Sequence, residues 1–192
     1  VLMEAADGEL TLTATNLDIS ITTRTDRIEV KEEGKLAVPA AKFVSFVRSL
    51  RPGPVTVAQK GEQIRLTAGK AHFSENTMNV QEYPALKSLD RKDGVEIDAE
   101  TLIDMINETA YSVSRDETRP ALMGILWEVR PDSLTLVATD AHRLARSQRP
   151  LSFDLETGHD LIVDTAGLRH LPRAVAAMKE DDADATAVTM YI

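Results

Sequence analysis

Leu10-Thr11-Leu12-Thr13-Ala14-Thr15-Asn16 returns, with two substitutions, as Leu134-Thr135-Leu136-Val137-Ala138-Thr139-Asp140, an offset of 124 residues. The first stretch alternates apolar and polar residues, the period-two pattern of a strand, and the second keeps it except at Val137. Further on, Val38-Pro39-Ala40-Ala41 and Val163-Asp164-Thr165-Ala166 each precede an amphipathic run, at an offset of 125. The register therefore holds with one added residue. A period of this size is a duplicated domain, because solenoid units repeat every ~20–50 residues. Duplicated domains in one chain point to a pseudo-symmetric assembly, with function in what it encloses or in the grooves between copies.

Reading outward, Asp7-Gly8 between two alternating runs (Val1–Ala5 and Glu9–Ala14) is a hairpin signal. Residues 17–30 alternate again through Leu17, Ile19, Ile21, Ile28 and Val30. Pro39 is expected at the first helical position, followed by a stripe of Phe43, Val47 and Leu50. Arg51-Pro52-Gly53-Pro54 ends that helix. Strands are expected at Val55–Gln59, Gln63–Ala68 and Ala71–Ser74, and a linker at 87–94. The second copy opens with Asp98 as helix N-cap and a stripe of Leu102, Ile106, Ala110 and Val113. Strands at Gly124–Val129, Ser133–Thr139 and His142–Ser147 follow, and a loop leads to Leu161-Ile162-Val163. A last stripe runs through Leu168, Leu171, Val175 and Met178, where Pro172 implies a kink or a late start. Residues 180–184 read as a solvated acidic turn. Each copy is thus expected to be an α+β domain of antiparallel sheets and two helices, with boundaries at 1–90 and 91–192.

The 192 residues hold about one and a half periods. The chain opens and closes on alternating runs, and the helix-like stretch 98–115 has no room for a counterpart ahead of the first copy. The expectation is a fragment lacking the start of copy one and the end of copy two.

Composition narrows the function classes. No apolar run approaches the ~18 residues of a membrane-spanning helix. The chain contains no cysteine, which removes disulfides and thiolate chemistry and fits a reducing cytoplasm. A net charge of −9 argues against a protein coated in basic residues, but leaves room for a local basic face. His72, His142, His159 and His170 lack metal-ligand spacing. Asp140-Ala141-His142 reads either as a fragment of an acid–base motif or as a turn closed by an Asx-type hydrogen bond from Asp140. Basic residues sit on the polar sides of two striped helices: Lys42, Arg48 and Arg51 on the first, Arg169, Arg173 and Lys179 on the last. They read either as solvated faces or as an anion-facing surface, since phosphate contacts need only positive charge at loosely set spacing.

Leu136-Val137-Ala138-Thr139-Asp140-Ala141-His142-Arg143-Leu144-Ala145 closely resembles the signature of the bacterial DNA polymerase III beta subunits, the sliding clamps. The likeness extends over Ala6-Asp7-Gly8-Glu9 and the repeat to Leu17-Asp18, over Val38-Pro39-Ala40-Ala41-Lys42-Phe43, Phe73-Ser74 and Tyr83-Pro84-Ala85-Leu86, and over Arg119 to Leu126. It also accounts for the duplication, because members of that family carry three similar domains per chain. The resemblance implies tandem clamp-type domains, in a head-to-tail homodimer whose six domains encircle duplex DNA without reading its sequence. Helices would line the hole and sheets the rim. It implies no catalytic residues, no metal or other cofactor and no membrane association. The implied partners are DNA polymerase III and other clamp-binding proteins, which dock through short peptides, and the clamp loader.

The family's residues carry over position by position. The peptide pocket would include Leu122, Thr139, His142, Arg143 and Leu144, with Ala141 where some relatives have glycine. Leu122 and Leu144 would form apolar walls and the other three a polar rim, although both leucines also read as plain core residues. The DNA-facing set would comprise Lys42, Arg48, Arg51, Arg115, Arg119, Arg169 and Arg173. Lys70, His72 and Ser74 match the edge strand that pairs with a second subunit. Where the family often has a Pro-Arg-Lys-Gly-like segment before its helix, this chain has Asp164-Thr165-Ala166-Gly167, with two basic groups fewer.

Overall fold

Asp7 and Gly8 both take positive φ, 52° and 80°, in the computed structural model, which describes residues 1–86, 94–181 and 186–191. Two left-handed central residues make the tightest hairpin connection, matched to the natural twist of the strands. They join β1 (Leu2–Ala6) to β2 (Glu9–Thr15). The chain divides into two units, Val1–Lys87 and Ser88–Ile192. The expected linker at 87–94, apart from Gly94, falls outside the described residues, as do 182–184 of the acidic turn.

In unit 1, β3 (Ser20–Thr25) and β4 (Gly34–Ala37) complete an antiparallel sheet of order β3-β2-β1-β4. The alternation expected to run to Val30 stops being strand at Thr25. That residue pairs with Leu10, and β2 begins only one residue earlier, at Glu9 beside the hairpin, so β3 has no partner strand to continue along. Helix α1 (Ala40–Ser49) follows, with Pro39 as its N-cap rather than its first helical residue. The expected inward stripe is corrected too. Phe43 is buried, but Val47 is exposed, and the inward face is Phe43, Val44 and Phe46. Phe46 stacks on Phe73 with ring centroids 5.0 Å apart, and an aromatic pair buries more apolar area than a valine. Strands β5 (Thr56–Lys60), β6 (Gln63–Ala68) and β7 (Ala71–Asn76) form a second antiparallel sheet in that order. Ile64 and Leu66 of β6 pack with Met3, Val38 and Phe43 to make the core.

Unit 2 begins with β8 (Gly94–Asp98), paired antiparallel to β13 (Ala187–Tyr191). Asp98 caps α2 (Ala99–Ala110), its carboxylate accepting from the Thr101 backbone N–H at 2.8 Å. Helix α2 packs on β10 and β11, burying Leu102, Met105 and Ile106. The sheet comprises β9 (Gly124–Arg130), β10 (Ser133–Thr139), β11 (Leu144–Pro150) and β12 (His159–Asp164), in the order β11-β10-β9-β12. This repeats the unit 1 order strand for strand: third, second, first, fourth. Ile125, Trp127 and Val129 of β9, with Leu134 and Leu136 of β10, fill the core. Pro172 is accommodated by a late start. A four-residue helix α3 (Thr165–Leu168) precedes α4 (Leu171–Asp181), so the proline sits in the first turn, where its missing N–H costs nothing. Of the expected stripe, Leu168 and Leu171 pack on the core and Val175 is buried, whereas Met178 is exposed.

Candidate functional site

The four residues between β10 and β11 are held by a dense set of local hydrogen bonds. Asp140 Oδ1 accepts from the backbone N–H groups of His142 and Arg143, both at 3.0 Å. Thr139 Oγ1 accepts from the Ala141 N–H at 3.1 Å and donates to the Arg143 carbonyl at 2.7 Å. Ala141 takes φ of 74°, the left-handed conformation that glycine adopts without strain, which gives a physical reason for glycine at this place. The Asx turn occupies 140–143, so β11 begins at Leu144 and not at His142 as expected.

Arg143 spans from this turn to the end of α2. Its Nε donates to Asp140 Oδ2 at 3.0 Å, its terminal nitrogen donates to the Tyr111 carbonyl at 2.6 Å, and its guanidinium lies 5.7 Å from the Tyr111 ring centroid. The backbone N–H of Arg143, then that of His142, hold the Asp140 carboxyl below its ordinary range. Both Asp140 oxygens are thereby committed, and His142 meets Asp140 through its backbone N–H. A carboxylate stabilised in its charged form and already bonded is a poor general base, so the acid–base reading loses its central group. Among the described residues no three His, Asp or Glu side chains come together as a metal site.

The remaining pocket candidates are Ala141, His142, Leu144 and Thr139 at this turn and Leu122 ahead of β9. Leu144 is 64% exposed, which removes it from the core reading. His142 and Ala141 are exposed, and Thr139 is half-buried. Leu122 ends a single 3₁₀ turn (Pro120–Leu122) ahead of β9, is half-buried, and accepts from the Ser114 N–H at 2.9 Å. The β9–β10 ladder runs to Val137 opposite Leu126, two positions beyond Gly124 at the start of β9 and four beyond Leu122. Gly124 is required there: a Cβ would meet Ile162 Cγ2 at 2.6 Å and the Val163 carbonyl at 2.9 Å. Tyr111 was not among the residues singled out from the sequence. Its signal was an aromatic at the end of α2 outside the apolar stripe, and it is 62% exposed.

The basic candidates differ in how much charge they leave free. Lys42 is paired with Glu75 at 2.7 Å and Arg119 with Asp116 at 2.8 Å. Arg48, Arg51, Arg169 and Arg173 are exposed and form no ion pair among the described residues. Arg48 shares a shallow surface of α1 with Ala40, Ala41, Val44 and Ser45. Arg115 lines an open cleft with Tyr111, Asp140 and Arg143. Ahead of α3, Asp164 caps the helix by accepting from the Ala166 N–H at 2.6 Å, so this residue serves the helix start. Lys70 lies in the turn before β7. His72 and Ser74 project from β7 to solvent while Phe73 turns inward, and β7 pairs with β6 on one side only among the described residues.

No helix is long and apolar enough to cross a membrane among the described residues. Residues 1–87 match the family described as DNA polymerase III beta subunit, N-terminal domain, and residues 96–187 match its central domain. The beta sliding clamp of Escherichia coli K12 is 32% identical over 174 residues, which is 90% of this chain and 47% of that protein. That of Chlamydia trachomatis serovar D is 30% identical over 187 residues, 97% of this chain and 44% of that protein. The crystal structure of the Bacillus subtilis DNA polymerase sliding clamp superposes on the whole chain with a TM-score of 0.87 at 25% identity, covering 51% of that clamp. The chain spans about half the length of these relatives.

Proposed function

The chain belongs to the DNA polymerase III beta subunit family, and from that premise we propose that it acts as a DNA polymerase processivity factor. In this reading it is a sliding clamp, a tether and not a catalyst, that encircles duplex DNA in the cytoplasm as a head-to-tail homodimer. A clamp loader places it on DNA. The replicative DNA polymerase III and repair polymerases then dock through short peptides at Leu122, Thr139, Ala141, His142, Arg143 and Leu144. The observation that carries the reading is the pair of consecutive family domains built on one repeated sheet order.

The physics supports each part. A ring must hold duplex without gripping a sequence, and guanidinium groups without carboxylate partners attract phosphate at any register. Arg48, Arg51, Arg169 and Arg173 are the strongest DNA-facing candidates for that reason, and Lys42 and Arg119 the weaker ones. The exposed β7 edge around Lys70, His72 and Ser74 can accept a strand from a second subunit. An exposed leucine beside a hydrogen-bonded polar rim suits a peptide with a hydrophobic anchor.

Retention on circular duplex tests the proposal. The full chain with Arg48, Arg51, Arg169 and Arg173 changed to Glu is expected to be lost from nicked circles and to bind with a shallower salt dependence, by ~0.9 in logarithmic slope per phosphate contact removed. Undiminished retention would remove these residues from the DNA-facing set.

A further inference from the structure

The cleft between the end of α2 and the β10–β11 turn carries charge that the peptide reading leaves unused. It has a volume of about 510 Å³ and is lined by Ala110, Tyr111, Val113, Arg115, Asp140 and Arg143. Two of its three charged groups cancel. Asp140 and Arg143 form an ion pair at 3.0 Å, and Asp140 accepts two further backbone hydrogen bonds with its other oxygen. Arg143 is further occupied by the Tyr111 carbonyl and ring. Arg115 is exposed and has no hydrogen bond or ion pair among the described residues. The cleft thus holds one free guanidinium, an aromatic face and no free carboxylate, in a chain whose net charge is −9.

We propose that this cleft receives a carboxylate side chain of the docked peptide, flanking its hydrophobic anchor, with Arg115 as the cation that selects it. The inference rests on the peptide-docking reading and adds a specificity-determining residue to it. The occupant follows from charge complementarity and continuity. Arg143 lines the cleft and directly precedes Leu144 in the chain, so the cleft adjoins the proposed anchor site. A guanidinium meets a carboxylate with two parallel N–H···O bonds, stronger than a neutral contact at the same place. The Tyr111 ring and the Ala110 and Val113 side chains give the peptide an apolar floor beside that charge. Asp140 offers no competition, because its oxygens are spent within the turn.

Titration calorimetry on the full chain, with two synthetic peptides, tests this. They share one leucine-rich anchor and differ only in Asp or Asn beside it. At low salt the Asp peptide is expected to bind tighter on the order of 3- to 10-fold. Arg115→Ala should bring that ratio to about one and leave the Asn peptide unchanged, while Arg115→Lys retains part of the preference. Leu144→Ala should weaken both peptides equally. If Leu144→Ala weakens both and Arg115→Ala keeps the ratio, the inference is wrong and the docking reading stands. If Leu144→Ala changes neither, or neither peptide binds, the docking reading fails and takes the inference with it. If Arg115→Ala keeps the ratio and lowers retention on circular duplex, Arg115 belongs with the DNA-facing residues.

Discussion

The turn after β2 and the turn after β10 are the same backbone carrying different chemistry. Asn16 Oδ1 accepts from the N–H groups of Asp18 and Ile19 as Asp140 Oδ1 does from His142 and Arg143. Thr15 Oγ1 accepts from the Leu17 N–H and donates to the Ile19 carbonyl, as Thr139 does with Ala141 and Arg143. Leu17 has φ of 80° and Ala141 of 74°. The Thr-Asx pair therefore builds the loop, and the next four positions are free to vary. They are Leu17-Asp18-Ile19-Ser20 in unit 1 and Ala141-His142-Arg143-Leu144 in unit 2. Every candidate peptide-pocket residue of this loop beyond Thr139 is among those four. The same turn is thus built twice, and the proposed peptide docking falls on the side chains that differ between the copies.

The largest effect is expected in the sheet that supports the second turn. Gly124→Ala drives a methyl into Ile162 and the backbone of Val163, and should destabilise unit 2 by about 1–3 kcal/mol in chemical denaturation. No loss of stability would mean β12 gives way easily and the platform is softer than this account requires.

A smaller and paired effect sharpens the claim that both turns share one geometry. A Cβ at left-handed φ costs roughly 1–2 kcal/mol, and glycine adds roughly 0.5–1 kcal/mol of chain entropy to the unfolded state. Leu17→Gly and Ala141→Gly should therefore each raise stability slightly and by similar amounts, read as paired shifts in the denaturation midpoint. A gain in one turn and a loss in the other would break the equivalence.

The least perturbing change is Asp140→Asn, which gives the second turn the side chain of the first. The Asp140 carboxyl is held below its ordinary value of 3.8, chiefly by the Arg143 N–H. Its stabilisation is therefore present above the unfolded-state value and is lost as pH falls through the lowered folded value. Carboxyl carbon NMR should put the Asp140 midpoint below 3.8. The variant should keep the turn, as Asn16 does, and lose that component of acid sensitivity. A midpoint at or above 3.8 would contradict the hydrogen-bond pattern.

Much of this was legible in the sequence because repetition and turn chemistry are local. The copied Leu-Thr-Leu-x-Ala-Thr run located the two central strands, Asp-Gly located the hairpin, and Asp140 as an Asx turn followed from its residue type. Asp98 marked a helix start for the same reason, and Pro172 a kink or a late start, of which the structure has the late start. What escaped depends on partners distant in sequence. Periodicity offered Phe43, Val47 and Leu50 as the inward face of α1, but Phe73, on another strand, drew Phe46 inward. Alternation through Val30 could not reveal that β2 starts at Glu9 and leaves β3 no partner beyond Thr25. The reach of Arg143 to Tyr111 spans 32 positions, and nothing local to either residue encodes it.

Peptide binding measured on the two turns side by side tests the central claim most directly. The full chain is titrated with a polymerase-derived docking peptide as wild type, Leu144→Ala and Leu17→Ala. Both leucines are exposed, at 64% and 77%, so neither change should disturb folding. Leu144→Ala is expected to weaken binding by roughly 1–3 kcal/mol, the range for an interface anchor, and Leu17→Ala to leave it unchanged. Folded Leu144→Ala protein with undiminished affinity, or equal losses at both turns, would contradict that claim.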